Sequence, residues 1–192
     1  MRYSGTDSPI LSVHGELSVG PMSSQGTLRL PIGKRSLLLL SARAAYLNLL
    51  YSKWLEVDGD EVKYDFSDYN LSYITQLDDA NVLKIEGYWG YDKMKIGQAS
   101  HGLQGKLKWN NTMAALHWYS RSKHGENERR KNWQMEQMVY YSRYANRLNL
   151  NECSFQVGMR SFIFDLGYKG NFSCGRWRMG AEVVRHQLLP QD

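Results

Sequence analysis

The feature that most constrains the fold is the stretch 64–94, where two long runs with a period of two flank a turn signal. A period of two is the period of a β-strand. Between the runs, residues 78–81 (Asp-Asp-Ala-Asn) favour chain reversal, because Asp and Asn side chains hydrogen-bond to nearby backbone N–H groups. The side chains that share the apolar face of the two arms are Tyr69, Leu71, Tyr73, Leu83, Ile85 and Trp89. The stretch therefore predicts a hairpin whose arms exceed the usual strand length of about five or six residues.

Alternation recurs elsewhere, so the chain has room for about eight to ten long strands. Further strands are predicted at 11–19, 27–30, 36–44, 106–119, 155–168 and 177–184, with turns, loops or connectors at 20–24, 31–34, 97–102, 149–154 and 170–175. Residues 46–55 show helical spacing and predict a short helix in a loop. For 133–148 the alternation is imperfect, and it does not decide which face points outward.

Charged and polar side chains occupy alternate positions in nearly every strand. In hydrocarbon only a closed barrel satisfies all strand backbone groups, and such a barrel tolerates charges only towards its lumen. The pattern predicts an all-β fold, the wall of an antiparallel transmembrane β-barrel. Predicted lumen-facing polar residues are Arg43, Asp68, Asn70, Lys84, Glu86, Asp165, Arg178 and Glu182. Predicted lipid-facing or aromatic residues are Tyr69, Leu71, Tyr73, Leu83, Ile85, Trp89, Phe162, Phe164 and Trp177.

Composition agrees with a membrane wall and with a soluble antiparallel protein. The 13 Tyr and 6 Trp suit a membrane interface, but they also pack well on soluble strands. The net charge is +5, with Lys and Arg scattered and with Glu inside the one dense cluster at 121–131, so no nucleic-acid partner is expected. No run reaches the roughly 18 to 20 apolar residues of a membrane helix.

No chemistry-bearing constellation stands out, so no enzyme activity, catalytic residue, metal or cofactor is expected. The five histidines have no consistent spacing with carboxylates or cysteines: His14, His101, His117, His124 and His186. The acidic stretch 58–61 lacks the ligand spacing of a calcium loop. Cys153 and Cys174 are predicted at opposite ends of one strand, too far apart for a disulfide.

Five motifs in order resemble the barrel of TonB-dependent receptors from Bacteroidetes-type bacteria. They lie at 30–47 (LPIGK, a Ser, then SARAAYL), 64–70 (YDFSDYN), 87–92 (GYWGYD), 140–144 (YYSRY) and 178–182 (RMGAE). The resemblance implies an outer-membrane receptor for energy-coupled uptake of a siderophore, cobalamin or glycan. It also implies outer-membrane lipid, a plug domain, TonB and a small nutrient ligand as partners.

The resemblance covers the barrel alone, since residues 1–192 contain neither the plug domain nor an apolar signal sequence. The chain is therefore expected to be an internal fragment of a barrel of 22 strands. Two alternatives stay open. One is a small closed outer-membrane barrel, and the other is a soluble lipocalin-like or sandwich binding protein with its apolar face inside.

Overall fold

A computed structural model describes residues 12–46, 56–57, 60–98, 103–122, 132–152 and 155–191. All regular structure in these ranges is β. The strands are β1 (His14–Val19), β2 (Ser23–Ile32), β3 (Ser36–Ala45), β4 (Glu56–Val57), β5 (Asp60–Gln76), β6 (Asn81–Gln98), β7 (Leu103–Arg121), β8 (Trp133–Glu152), β9 (Phe155–Cys174) and β10 (Trp177–Gln191).

The strands form one antiparallel sheet. Nine strands follow chain order, β1-β2-β3-β5-β6-β7-β8-β9-β10, and the two-residue β4 pairs with the start of β5. Within the described residues β1 and β10 are the two edges, so the sheet is open. The predicted all-β, antiparallel architecture is confirmed, and the open sheet is consistent with part of a barrel wall. Strands β5 to β10 are 15 to 20 residues long, as the long alternating runs predict.

Several predicted connections are shorter in the structure, because the alternation continues through glycine and asparagine. The predicted turn at 170–175 is wrong: β9 runs to Cys174 in register with β8, and the chain reverses at 175–176 with Gly175 at φ 60°. The predicted connector at 149–154 is also too long, since β8 reaches Glu152. Sheet hydrogen bonds outweigh the weak strand preference of Gly and Asn at these positions.

Two further boundaries move because the strands continue past their predicted ends. Strand β2 includes Pro31 and Ile32, so the turn predicted at 31–34 lies at 33–35, with Gly33 at φ 67°. Strand β6 reaches Gln98, inside the loop predicted from residue 97. Cys174 is a free cysteine at the end of β9. The predicted helix (46–55), Cys153, His101 and His124 lie outside the described residues, apart from residue 46.

The sheet is a single layer without a core. Ala80 and Ala115 are the only buried hydrophobic residues in the described part of the chain, and none of its side chains is fully buried. Within the same ranges no helix has the length and apolarity needed to cross a bilayer. Whatever covers the apolar side chains of this sheet is not another described element of the chain.

The β5–β6 turn is held by the side chain of Asp78, as the sequence predicts. Its Oδ1 accepts hydrogen bonds from the backbone N–H groups of Ala80 (2.7 Å) and Asn81 (3.1 Å). Asp78→Ala should lower the free energy of unfolding by about 1 kcal/mol, because the Ala80 N–H loses this acceptor and the Asn81 N–H keeps only the backbone oxygen of Asp78, at 3.3 Å. Equilibrium unfolding in urea measures this change. Asp79→Ala is the control, since only the backbone oxygen of Asp79 contacts Arg121; equal losses for the two variants would contradict the assignment.

Candidate functional site: the two faces of the sheet

The strand register sorts the side chains onto two faces, because directly paired residues in an antiparallel sheet point to the same side. One row of paired positions, followed from β2 to β10, is apolar throughout: Leu30, Leu38, Tyr73, Ile85, Leu116, Val139, Tyr168 and Val183. We call the face with this row the apolar face and the opposite one the polar face. The register also orients the ambiguous stretch 133–148, whose odd-numbered residues lie on the apolar face.

Each predicted set of residues falls on a single face. The polar face carries Arg43, Asp68, Asn70, Lys84, Glu86, Asp165, Arg178 and Glu182. The apolar face carries Tyr69, Leu71, Tyr73, Leu83, Ile85, Trp89, Phe162, Phe164 and Trp177. That these faces point to a lumen and to lipid stays a prediction.

Asp68 is the centre of the best-connected polar cluster. Its Oδ2 accepts from Nη2 (2.6 Å) and Nε (3.0 Å) of Arg43, and its Oδ1 accepts from the Tyr88 hydroxyl at 2.9 Å. The Arg43 guanidinium also lies 4.8 Å from the ring centre of Phe66. The Asp68 side chain is 16 % exposed, whereas that of Arg43 is 52 % exposed. The Asp68 carboxylate on β5 thus connects Arg43 on β3 with Tyr88 on β6.

Asp68→Asn should lower the free energy of unfolding by about 1 kcal/mol. The charge-assisted bonds to Arg43 weaken, but solvent around the arginine limits the loss. Glu182→Gln is the matched control, because Glu182 lies 3.7 Å from Lys169 and both side chains are nearly half exposed. It should be close to neutral. Urea unfolding measures Asp68→Asn, Arg43→Met, the double variant and the Glu182→Gln control. Simple additivity of the first two in the double variant would contradict the coupling.

Two histidines join carboxylates on the polar face. Glu86 Oε1 lies 2.7 Å from Lys84 Nζ, and Glu86 Oε2 lies 2.8 Å from His117 Nε2. Asp165 Oδ1 lies 2.7 Å from Nδ1 of His186. Of the other predicted polar residues, Asn70 is paired with Tyr88, and Arg178 is paired with Ser173 near the β9–β10 turn. The described residues contain no group of three or more His, Cys, Asp or Glu side chains that could hold a metal ion.

Sequence reasoning missed both histidines because it compared spacing along the chain rather than across strands. Asp165 and His186 are directly paired in the β9–β10 register. Counting outward from a reversal at 175–176 pairs them, whereas a turn at 170–175 does not. For His117 the contact with Glu86 is diagonal, since the register pairs Glu86 with Ala115. Only the register of β6 against β7 reveals it.

Tyrosines on the polar face lie over glycines. The Tyr140 ring covers Gly167 on the next strand, and a Cβ atom at Gly167 would overlap that ring. The Tyr88 hydroxyl covers Gly90, where a Cβ atom would also lie 3.1 Å from Asp68 Oδ1. Both glycines are buried. Both tyrosines cover backbone that glycine leaves bare, and the Tyr140–Gly167 contact also ties β8 to β9 in register.

Aromatic rings mark two levels of the apolar face. On one side, Tyr69 and Trp89 have ring centres 5.4 Å apart, and Trp89 stacks on Tyr91 at 6.2 Å. Towards the opposite end lie Trp118, Trp133, Phe172 and Trp177, and Trp118 Nε1 donates to Asn81 Oδ1 at 3.1 Å. From Asn81 to Tyr91 a strand rises about 33 Å. A tilt of about 40° reduces this to roughly 25 Å, the height of the apolar band of an outer-membrane barrel.

Two cations interrupt this band. Arg143 shares a row with Trp89, and its guanidinium lies 5.4 Å from the Phe162 ring centre and 5.7 Å from that of Phe164. Its charge therefore lies at the aromatic level and not in the middle of the apolar band. Arg185 lies deeper, on edge strand β10, and nothing in the described structure compensates it.

Beyond the aromatic level the apolar face becomes strongly basic, although the sequence gives the impression of scattered cations. Two adjacent rows of paired positions gather Lys63, Lys93, Lys95, Lys106, Lys108, Arg147 and Arg160. We call these seven residues the basic patch. The expectation of scattered charge is wrong at this end of the sheet, because residues far apart in sequence become neighbours across strands.

Comparison with known proteins adds no identification. No protein-family model matches the chain, and a search of curated proteins found no relative.

Proposed function

We propose that the chain forms part of the wall of an outer-membrane β-barrel, and that this barrel belongs to a TonB-dependent receptor for energy-coupled nutrient uptake. The observation that carries the proposal is that the predicted apolar and polar residues segregate onto opposite faces of the sheet. One face is mainly apolar between two aromatic levels, with Arg185 as the charged exception, and the opposite face carries hydrogen-bonded ion pairs. In a barrel the first would meet lipid and the second would line the lumen.

The exposure of the apolar face supports a membrane over a soluble sandwich. Ile85, Trp89, Leu116, Val139, Leu166 and Val183 are all more than 40 % exposed on this face. Contiguous exposed apolar surface on a soluble monomer rarely exceeds a few hundred Å². Here it extends across most of the sheet, and a bilayer would cover it.

The polar face supports a lumen rather than a packed core. Half-exposed groups such as Arg43, Lys169 and Glu182 are compatible with water beside the sheet. A narrow barrel fills its interior with side chains, whereas a wide one encloses water or a plug. A wide barrel agrees with the receptor family that the five sequence motifs resemble. In that family the small nutrient ligand, the plug domain and TonB would be the partners.

The receptor assignment is tested by sequencing the DNA on both sides of the reading frame. We expect a plug-encoding segment upstream and further aromatic-rich alternating strands downstream. Flanks that encode neither would contradict the receptor assignment. They would leave the membrane wall itself to be tested on the protein.

A further inference from the structure

The basic patch is defined by direct cross-strand neighbours. In one row Asp65, Lys93, Lys108, Arg147 and Arg160 follow each other from β5 to β9. In the next row outward, Lys63, Lys95 and Lys106 are paired in the same way. Like charges directly opposite each other destabilise a sheet. The patch therefore carries an electrostatic cost that an external anion would remove.

Among the described side chains of the two rows, cations outnumber carboxylates. Asp65 is the one carboxylate among the described side chains of these rows, and it lies 3.9 Å from Lys93. The pKa of Lys106 lies below its usual value, first because of the positive charge of Lys108 and then because of burial, with Lys95, Lys93 and Arg147 adding to the effect. An anion bound between these lysines would oppose this shift.

The position of the patch indicates what kind of anion it meets. The patch continues the apolar face directly beyond Tyr91, so its cations lie at the level of lipid headgroups if that face meets a bilayer. Trp89 and Lys93 are about 13 Å apart along β6. An open hollow of about 770 Å³ next to Trp89 is lined by Leu28, Leu40, Tyr69, Leu71 and Gly87. An acyl chain lying there would bring its headgroup to the cations.

We propose that the basic patch binds the phosphate groups of an anionic lipid headgroup, and that it prefers a lipid with more than one phosphate. The patch spans five strands, about 19 Å, which is wider than one phosphate. Lys and Arg clusters at a membrane surface contribute about 1 kcal/mol of lipid attraction per residue. A duplex nucleic acid fits less well, because the cations border an apolar surface rather than a polar one. This inference rests on the proposed membrane location.

The test compares lipid binding by the full chain and two variants of equal net charge. The patch variant combines Lys93→Gln, Lys95→Gln, Lys106→Gln and Lys108→Gln. The control variant combines Lys34→Gln, Arg35→Gln, Lys169→Gln and Arg176→Gln, which lie away from the patch. Each protein is reconstituted into phosphatidylcholine alone, or with a trace of a fluorescent monophosphate lipid or a fluorescent bis-phosphorylated lipid A. Energy transfer from tryptophan measures the apparent affinity.

We expect the bis-phosphorylated lipid to bind most tightly, the patch variant to lose about a thousandfold in affinity, and the control to change less than about threefold. Equal binding by the two variants would overturn the inference. Displacement of the lipid by millimolar inorganic phosphate or by duplex DNA would also overturn the inference, because it would identify a free-anion or nucleic-acid site.

Insertion into the bilayer is measured separately, in phosphatidylcholine vesicles, by quenching from the lipid at residue 85. Failure to insert would refute the proposed wall and the lipid site together, whereas insertion with an unaffected patch variant would refute the lipid site alone.

Discussion

Gly167→Val should lower the free energy of unfolding by about 2 to 3 kcal/mol, because the new side chain would occupy the space of the Tyr140 ring. Glycine is required at this position for space, not for backbone conformation. The tyrosine must leave its position over the β8–β9 pair, and it then loses its packing and its 3.4 Å hydrogen bond to Glu182. Equilibrium unfolding of the reconstituted chain in urea gives the change.

Gly87→Val is the matched control. A Cβ atom at Gly87 meets nothing within 4 Å. Valine favours strands over glycine, so this variant should change stability by less than about 0.5 kcal/mol or stabilise the sheet. Tyr140→Ala should rescue part of the Gly167→Val loss in the double variant, since the two substitutions remove the same contact. Full additivity would show that the ring and the glycine do not interact.

Leu116→Arg should destabilise the protein in a bilayer by about 2 to 4 kcal/mol, because it places a cation near the middle of the apolar band. Met113→Arg on the same strand is the control for the polar face. The two native side chains are similarly exposed, 45 % for Leu116 and 40 % for Met113. An arginine in a polar lumen should cost less than about 1 kcal/mol. Chemical unfolding from lipid vesicles measures both variants.

A packed soluble interior would also reject an arginine at Leu116, so depth supplies the second control. Asn110 lies on the same face and strand, in the row of Tyr91 at the aromatic level. Asn110→Arg should cost at most about 1 kcal/mol, because the membrane penalty falls towards the interface. A cost at residue 110 equal to that at residue 116 would contradict a bilayer against this face.

The faces of the sheet were readable from the sequence, whereas the contacts on them were not. Alternation identifies side-chain direction within a strand, so Arg43 and Asp68 could be assigned to one face without knowing that they meet. Their meeting depends on how β3 is aligned with β5, and that alignment is set by the turns and by sheet pairing. The early placement of the last turn, at 170–175, likewise hid the pairing of Asp165 with His186.

The basic patch was missed for a related reason. Lys63, Lys95 and Lys106 belong to three strands, and their spacing along the chain is irregular. Positive charge looks scattered along the sequence, because residues that are neighbours across strands are separated in the chain by the length of a hairpin. The stretch 133–148 shows a different problem, since Met, Tyr and Gln each occur at both odd and even positions there. Its orientation required pairing with β7 and β9.

The central claim is that one face of this sheet meets lipid and the other meets water. The most direct test is a nitroxide scan of residues 82–91 in the full chain, with both native cysteines changed to serine, reconstituted into lipid vesicles. We expect odd positions to collide mainly with oxygen, which concentrates in the bilayer, and even positions to collide mainly with a water-soluble nickel chelate. Oxygen collisions should peak near Ile85. An oxygen profile without a period of two, or odd positions shielded from both reagents, would contradict a lipid-facing wall.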